Sequence, residues 1–333
     1  MATMKDVAHL AGVSTATVSR ALTNPEKVSA ATHVKVEQAM QDSGYSPNSL
    51  ARNLRRNESK TIVAIVPDIC DPYFAEIIHG IEETANEHGY TVFIGDGGKY
   101  QPNGTISNLM FTKHVDGMLL LGTKLPFNVS KQEQKNLPPL VMACEYAPEL
   151  ELPTIHVDNL TAAFEAVNYL TSVGHKQIAQ IIGDPNSALT KFRVQGYQQA
   201  LRRVGIMLNP NYTVAGESSF KAGASAITHL LSLPTPPTAV FCHSDVVAIG
   251  AMRQAKRLGF RVPKDLSIMG FDDIQLAKIC EPMLTTISQP KYEIGKQAML
   301  ELLSALKGND IKSGSRLLEA KLAIRESVAP PSR

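Results

Sequence analysis

Two hydrophobic rhythms divide this chain. Over residues 1–45 apolar positions recur at helical spacing. Val7, Leu10 and Ala11 share one side of a short helix opened by Asp6, Val7 and Ala8. Gly12 breaks it, since glycine supplies the permissive backbone of a tight turn. Ser14 then stands at the N-cap of a second helix, where a hydroxyl accepts an N–H lacking a helical partner. Val18 and Leu22 face inward at i, i+4 spacing and turn Thr15, Ala16, Ser19 and Arg20 outward. A third helix begins after Ser29, carries Val34, Val36, Ala39 and Met40, and stops at Gly44. The pattern suits any small helical bundle. It equally suits a helix-turn-helix, whose second helix enters the major groove of DNA.

Pro47 ends this unit and Asn48 can cap another helix, but residues 49–57 offer only about two turns, too short to be stable alone. Arg52, Arg55 and Arg56 in that segment suit phosphates. Leu54 beside them is bulky and apolar, and reads either as a core leucine or as a wedge between bases.

From Thr61 onward the rhythm becomes strand, helix, strand. Apolar runs at 61–68, 91–96, 115–122, 140–144 and 154–158 read as strands, with helices at 71–90 and 105–114. The alternation restarts with a helix at 159–173, a strand at 177–184 and a helix at 190–204. A short strand near 212–215, a helix at 221–232, a strand at 238–245, a helix at 246–258 and a strand at 266–273 follow. Such repetition builds parallel sheets covered by helices, and two runs of it predict two doubly wound lobes. Ligands bind beyond the carboxyl ends of such strands, so facing lobes form a cleft.

A length of 333 residues supports several domains. No apolar run is long enough to span a bilayer, and the polar N-terminal helix is unlike a signal peptide, so a cytoplasmic protein without a membrane partner is expected. Cys70, Cys144, Cys242 and Cys280 are widely spaced and read as buried thiols of a reducing compartment, with no zinc spacing. The net charge is only +2, but it is uneven. Residues 1–60 hold eight basic residues (Lys5, Arg20, Lys27, Lys35, Arg52, Arg55, Arg56, Lys60) against five acids (Asp6, Glu26, Glu37, Asp42, Glu58). The positive excess therefore falls in the segment read as facing phosphate. It is modest, which argues for two copies acting together.

Strand ends of the second region carry Asp68, Asp71, Asp158, Asp184, Ser244, Asp245 and Asp272. Carboxylates there either accept hydroxyls of a polar ligand or merely cap the helices that follow. Tyr73 and Phe74 can stack on a flat ring, and Arg193 is a fork-shaped donor within reach of the same cleft. Enzymatic readings are weak. His243-Ser244-Asp245 are adjacent and cannot converge as a triad does. His156 reads as a strand histidine satisfied by its neighbours rather than a base. Gly95-Asp96-Gly97-Gly98 lacks the spacing of a nucleotide loop, so no cofactor is expected.

The runs DVAHLAGVSTATVSRAL, VSAATHVKVEQAMQDSGYSPN and ARNL strongly resemble the LacI family of bacterial repressors, and the likeness continues along the chain. The resemblance implies an α/β protein: a three-helix DNA-binding domain over 1–46, a hinge over 47–59, then two lobes like those of periplasmic binding proteins. One lobe would comprise 60–157 and 288–316, the other 158–287 and 317–333. The crossings would fall near Thr285–Gln289 and Arg316, the helix 291–306 returning to the first lobe and the strand around Lys321–Arg325 to the second. By position Thr15 and Ala16 match the family's base-reading pair and Arg20 a base-contacting arginine. Thr17 and Ser19 complete that face. Ala51 matches a minor-groove residue of a hinge helix that folds on DNA, Leu54 the leucine that wedges into a base step, and Arg55 stands beside it.

Tyr73, Phe74, Arg193 and Asp272 match effector-binding positions, with Asp158 and Asp245 near others. The stretches 66–82, 137–170 and 236–251 resemble the nucleoside-responsive branch of the family. That implies cytidine as effector, control of nucleoside uptake and catabolism genes, a homodimer on double-stranded operator DNA, and the cyclic-AMP receptor protein as a DNA-bound partner. The residues themselves leave open a binding module whose N-terminal helices serve only assembly.

Overall fold

The computed structural model describes residues 2–45, 58–97, 115–122, 137–309 and 313–332. The chain divides into two compact units, Met1–Ser59 and Lys60–Arg333.

The first unit contains α1 (Met4–Ala11), α2 (Thr15–Thr23) and α3 (Ala30–Ser43). The Asp6 carboxylate closes the first turn of α1, accepting from Thr3 N–H at 2.7 Å and from the Thr3 hydroxyl at 2.8 Å. Gly12 ends α1 at φ +65°, a left-handed conformation in which other residues are strained. Ser14 Oγ accepts from Thr17 N at 3.1 Å and caps α2, while Ser29 does the same for α3. Val7, Ala8, Val18, Ala21, Val36 and Ala39 form the core. Leu10 and Val34 are outside it, 57 % and 63 % exposed, because the apolar stripes of these short helices are narrower than the periodicity suggested. Hinge residues Ala51, Leu54 and Arg55 lie outside the described residues, as does the helix expected over 105–114.

The second unit holds two parallel sheets. The six-stranded sheet has the order β11-β5-β4-β3-β1-β2, built from β1 (Thr61–Val66), β2 (Thr91–Asp96), β3 (Gly117–Leu120), β4 (Leu140–Ala143), β5 (Pro153–Val157) and β11 (Gly314–Leu318). The four-stranded sheet has the order β7-β6-β8-β9, from β6 (Ile178–Ile182), β7 (Thr213–Ala215), β8 (Ala239–Cys242) and β9 (Ser267–Met269). Their central strands are buried on both faces, which is why they read as unbroken apolar runs rather than alternating ones.

Helices α4 (Tyr73–Glu87) and α9 (Lys291–Leu306) pack together on the first sheet. Helices α5 (Asn159–Ser172) and α6 (Ala188–Arg203) pair on one side of the second sheet, and α7 (Phe220–Leu231) and α8 (Asp245–Arg257) pair on the other. Each pair crosses at glycine. A Cβ on Gly295 would sit 2.0 Å from Ile77 O, one on Gly196 2.3 Å from Leu160 O, and one on Gly223 2.1 Å from Val247 O.

Two strands form a separate antiparallel ribbon, β10 (Thr286–Ser288) with β12 (Lys321–Ala323), joined to the end of β9 by parallel bridges of Met269 to Thr285 and Asp272 to Ser288. The strand expected to return to the second lobe pairs with this crossover and packs against α5 of that lobe. The tail continues along that lobe, where Ile268 N donates to Ser327 O at 2.9 Å. Arg316 lies inside β11, paired with Ile155 of the first sheet, so the chain leaves that sheet two residues later than expected. Among the cysteines, Cys144 and Cys242 are buried as expected, but Cys70 is exposed and Cys280 half-buried.

Candidate functional site

In the N-terminal unit, α2 presents Thr15, Ala16 and Arg20 to solvent at its start and along one face. Ser19 is half-buried. Thr17 is also half-buried, and its hydroxyl is joined to Ser14 Oγ at 2.9 Å, so part of its hydrogen-bonding capacity serves the cap. An exposed helix N-terminus with short polar side chains and one arginine can reach base edges and accept the close approach of phosphate.

The second unit gathers a polar cleft where the ends of β1, β4, β6, β8 and β9 meet the crossover that carries Gln289. Arg193 of α6 is its organiser. Nε donates to Asn159 Oδ1 at 2.8 Å and Nη1 to His243 O at 2.5 Å, while the guanidinium stacks 3.7 Å from the centre of the Phe271 ring. Gln289 bridges the cleft: Tyr73 Oη donates to its Oε1 at 3.0 Å, and its Nε2 donates to Asp272 Oδ1 at 2.7 Å. Burial pushes the Asp272 carboxyl well above the usual carboxylate range, opposed by the nearby Arg193. Asp272 and Asp273 follow one another at φ +121° and +56°, a strained strap for two non-glycine residues. Lys291, almost wholly buried at the start of α9, holds that strap with Nζ donating to Asp272 O at 2.7 Å and Asp273 O at 2.8 Å.

The other nominated residues divide. Phe74 is 7 % exposed and packed in the core against Ile77 and Leu119, so of the aromatic pair only Tyr73 borders the cleft. Asp158 is a cap, accepting from Thr161 N at 3.0 Å and the Thr161 hydroxyl at 2.7 Å. Asp245 is sealed, with Oδ2 accepting from Ile274 N at 2.9 Å and Oδ1 from Thr286 Oγ1 at 2.5 Å; burial raises its carboxyl to about 7. A wholly buried carboxylate occupied on both oxygens supports the walls rather than touching a ligand. Asp68 and Asp184 accept from backbone N–H groups two residues on. Asp71 accepts from Tyr73 N at 3.0 Å and faces Ser218 Oγ at 3.4 Å across the lobes.

His243 and Asp245 point apart, the imidazole towards Ile181 O, with burial and Arg193 holding it near 4. His156 binds Val157 O and Ser315 Oγ, as a strand histidine does. Sequence reasoning missed Gln289, Glu145, Asn159 and Lys291. Only Lys291 left a signal, a lysine at a helix N-terminus, where the dipole disfavours it.

A helix-turn-helix in one unit and a two-lobed polar cleft in the other define a DNA-binding regulator that answers to a small ligand. The chain belongs to the LacI family of bacterial regulatory proteins: the family's N-terminal profile matches residues 3–48, and the profile of periplasmic binding proteins and the sugar-binding domain of the LacI family matches residues 59–322. It is 60 % identical over 328 residues to the HTH-type transcriptional repressor CytR of Escherichia coli K12, covering 98 % of this chain and 96 % of that protein. It is 37 % identical to the ribose operon repressor of Haemophilus influenzae, covering 98 % and 99 %. The lac repressor dimer bound to operator and the anti-inducer ONPF superposes with a TM-score of 0.84 at 27 % identity, covering 98 % of this chain and 99 % of that one. The chain is a CytR-like transcriptional repressor of this family.

Proposed function

We propose that this repressor binds a pseudo-palindromic operator as a homodimer and releases or loosens it when cytidine occupies the cleft, controlling genes of nucleoside uptake and catabolism. The supporting observation is the Asp272–Gln289–Tyr73 bridge beside Arg193, which offers a vicinal diol one carboxylate, one amide and one guanidinium in a partly dry site. The 60 % identity to CytR supports a nucleoside over a free sugar. On the DNA, Thr15, Ala16 and Arg20 read the major groove, with Thr17 and Ser19 alongside. Ala51, Leu54 and Arg55 would engage the minor groove as a hinge. The protein acts in the cytoplasm, with the cyclic-AMP receptor protein as neighbour on the promoter.

Calorimetry with cytidine, uridine, adenosine and ribose tests the effector, with cytidine expected to bind and ribose to bind far more weakly. Electrophoretic mobility shift of a palindromic promoter fragment at fixed salt tests the operator. Absence of a shift at micromolar protein overturns the repressor reading, and failure of every nucleoside to bind overturns the effector.

A further inference from the structure

Glu145, absent from the acids nominated by strand ends, is a cleft carboxylate held, among the described residues, only by one long hydrogen bond. It follows β4 directly after Cys144, which adopts a left-handed φ of +71°. Among the described residues its carboxylate has one side-chain partner, Ser187 Oγ, at a long 3.5 Å. Ser187 caps α6 in the second lobe, so this contact spans the cleft. No fully buried side-chain oxygen among the described residues lacks a partner, so the other Glu145 oxygen is not completely sealed. Its neighbours are held closer: Asp158 is occupied on both oxygens and Asp68 and Asp184 on one oxygen each by their own loops, and Asp245 is sealed. Asp272 and Glu145 keep accepting capacity; burial raises both carboxyls, and the Arg193 charge opposes that rise at each.

A nucleoside has two recognition ends, a diol and the edge of a base. With the diol at Asp272, as proposed above, the second carboxylate is left for the base. We propose that Glu145 reads the exocyclic amino group of the base and thereby selects a 4-aminopyrimidine nucleoside over its 4-oxo counterpart. An ionised carboxylate only accepts hydrogen bonds, so it pairs with a 4-amino group and opposes the lone pairs of a 4-oxo group. The Ser187 hydroxyl can donate to the adjacent ring nitrogen of cytosine or turn to accept from that of uracil. Discrimination therefore falls to Glu145.

The inference rests on the nucleoside reading, and calorimetry of the full-length chain separates the two. Wild type is expected to prefer cytidine over uridine by about tenfold to a hundredfold, the cost of leaving a desolvated carboxylate facing a carbonyl. Glu145→Gln places a donor where uridine has an acceptor, and the preference should fall to within roughly threefold or reverse. Glu145→Ala should weaken cytidine more than uridine. Asp272→Asn should weaken both nucleosides alike and keep their ratio. Far-UV circular dichroism confirms that each variant is folded. An unchanged cytidine-to-uridine ratio in Glu145→Gln overturns the assignment, as does a wild type that binds both equally, and in each case the nucleoside reading stands. A wild type that binds neither overturns both.

Discussion

At the scale of single residues, the same side-chain type has separate fates within one unit. Asp158 looks like a ligand-binding acid in the sequence and is a helix cap; Asp245 looks the same and is buried under the strap. What distinguishes them is whether local N–H groups consume their oxygens, and that depends on loop geometry which residue spacing does not reveal. Asp245 also makes a stability prediction. Its carboxyl is raised to about 7 in the folded state from 3.8, so folding favours its protonated form. The cost of keeping it charged is fully present above pH 7 and disappears as pH falls towards 4. Asp245→Asn should therefore unfold at higher urea than wild type at pH 8, with the difference shrinking by pH 5. A difference that does not change with pH would show that the carboxyl titrates normally. On α2, Arg20→Ala should cost about 1–3 kcal/mol of operator affinity and relax preference at one base position. A loss equal on operator and scrambled DNA, seen in mobility-shift titrations, would move Arg20 to the phosphates.

At the scale of elements, much was legible. Helix ends at Gly12 and Gly44, caps at Ser14 and Ser29, and the strand-helix alternation all follow from residues next to one another in sequence. The helix pairs were not legible, because Gly80, Gly196, Gly223 and Gly295 read as weak points in helices rather than as contact surfaces. In the fold they let backbones touch, as at Gly80, where a Cβ would lie 2.2 Å from Tyr292 O. Gly295→Ala should destabilise the second unit by about 1–3 kcal/mol through overpacking, despite the better helix propensity of alanine. Denaturant titration reads this directly. A stability equal to or above wild type would mean that α4 and α9 separate without cost.

At the scale of the whole molecule, the cleft is assembled from segments far apart in sequence, which is why its full membership was hidden. Gln289 touches Tyr73 from 216 residues away, and Lys291 reaches back to the Asp272–Asp273 strap and lies 3.8 Å from Glu76 of α4. Lys291 thus ties a loop of the second lobe to two helices of the first. Lys291→Met would orphan two buried carbonyls, costing about 2 kcal/mol or more of stability. It should also weaken nucleoside binding by about tenfold, or ~1.4 kcal/mol, while effector-free operator binding stays within about twofold. Stability and calorimetric titration measure both losses, and unchanged nucleoside binding would confine Lys291 to a structural part.

The ribbon of β10 and β12 is a two-stranded sheet of its own, tied to the end of β9 where Asp272 N donates to Ile287 O at 2.8 Å. Because β10 also runs directly into α9, which packs on the first sheet, the setting of one lobe on the other passes through it. Sequence change confined to those six residues would retune how loudly the protein responds, leaving untouched which molecule it hears.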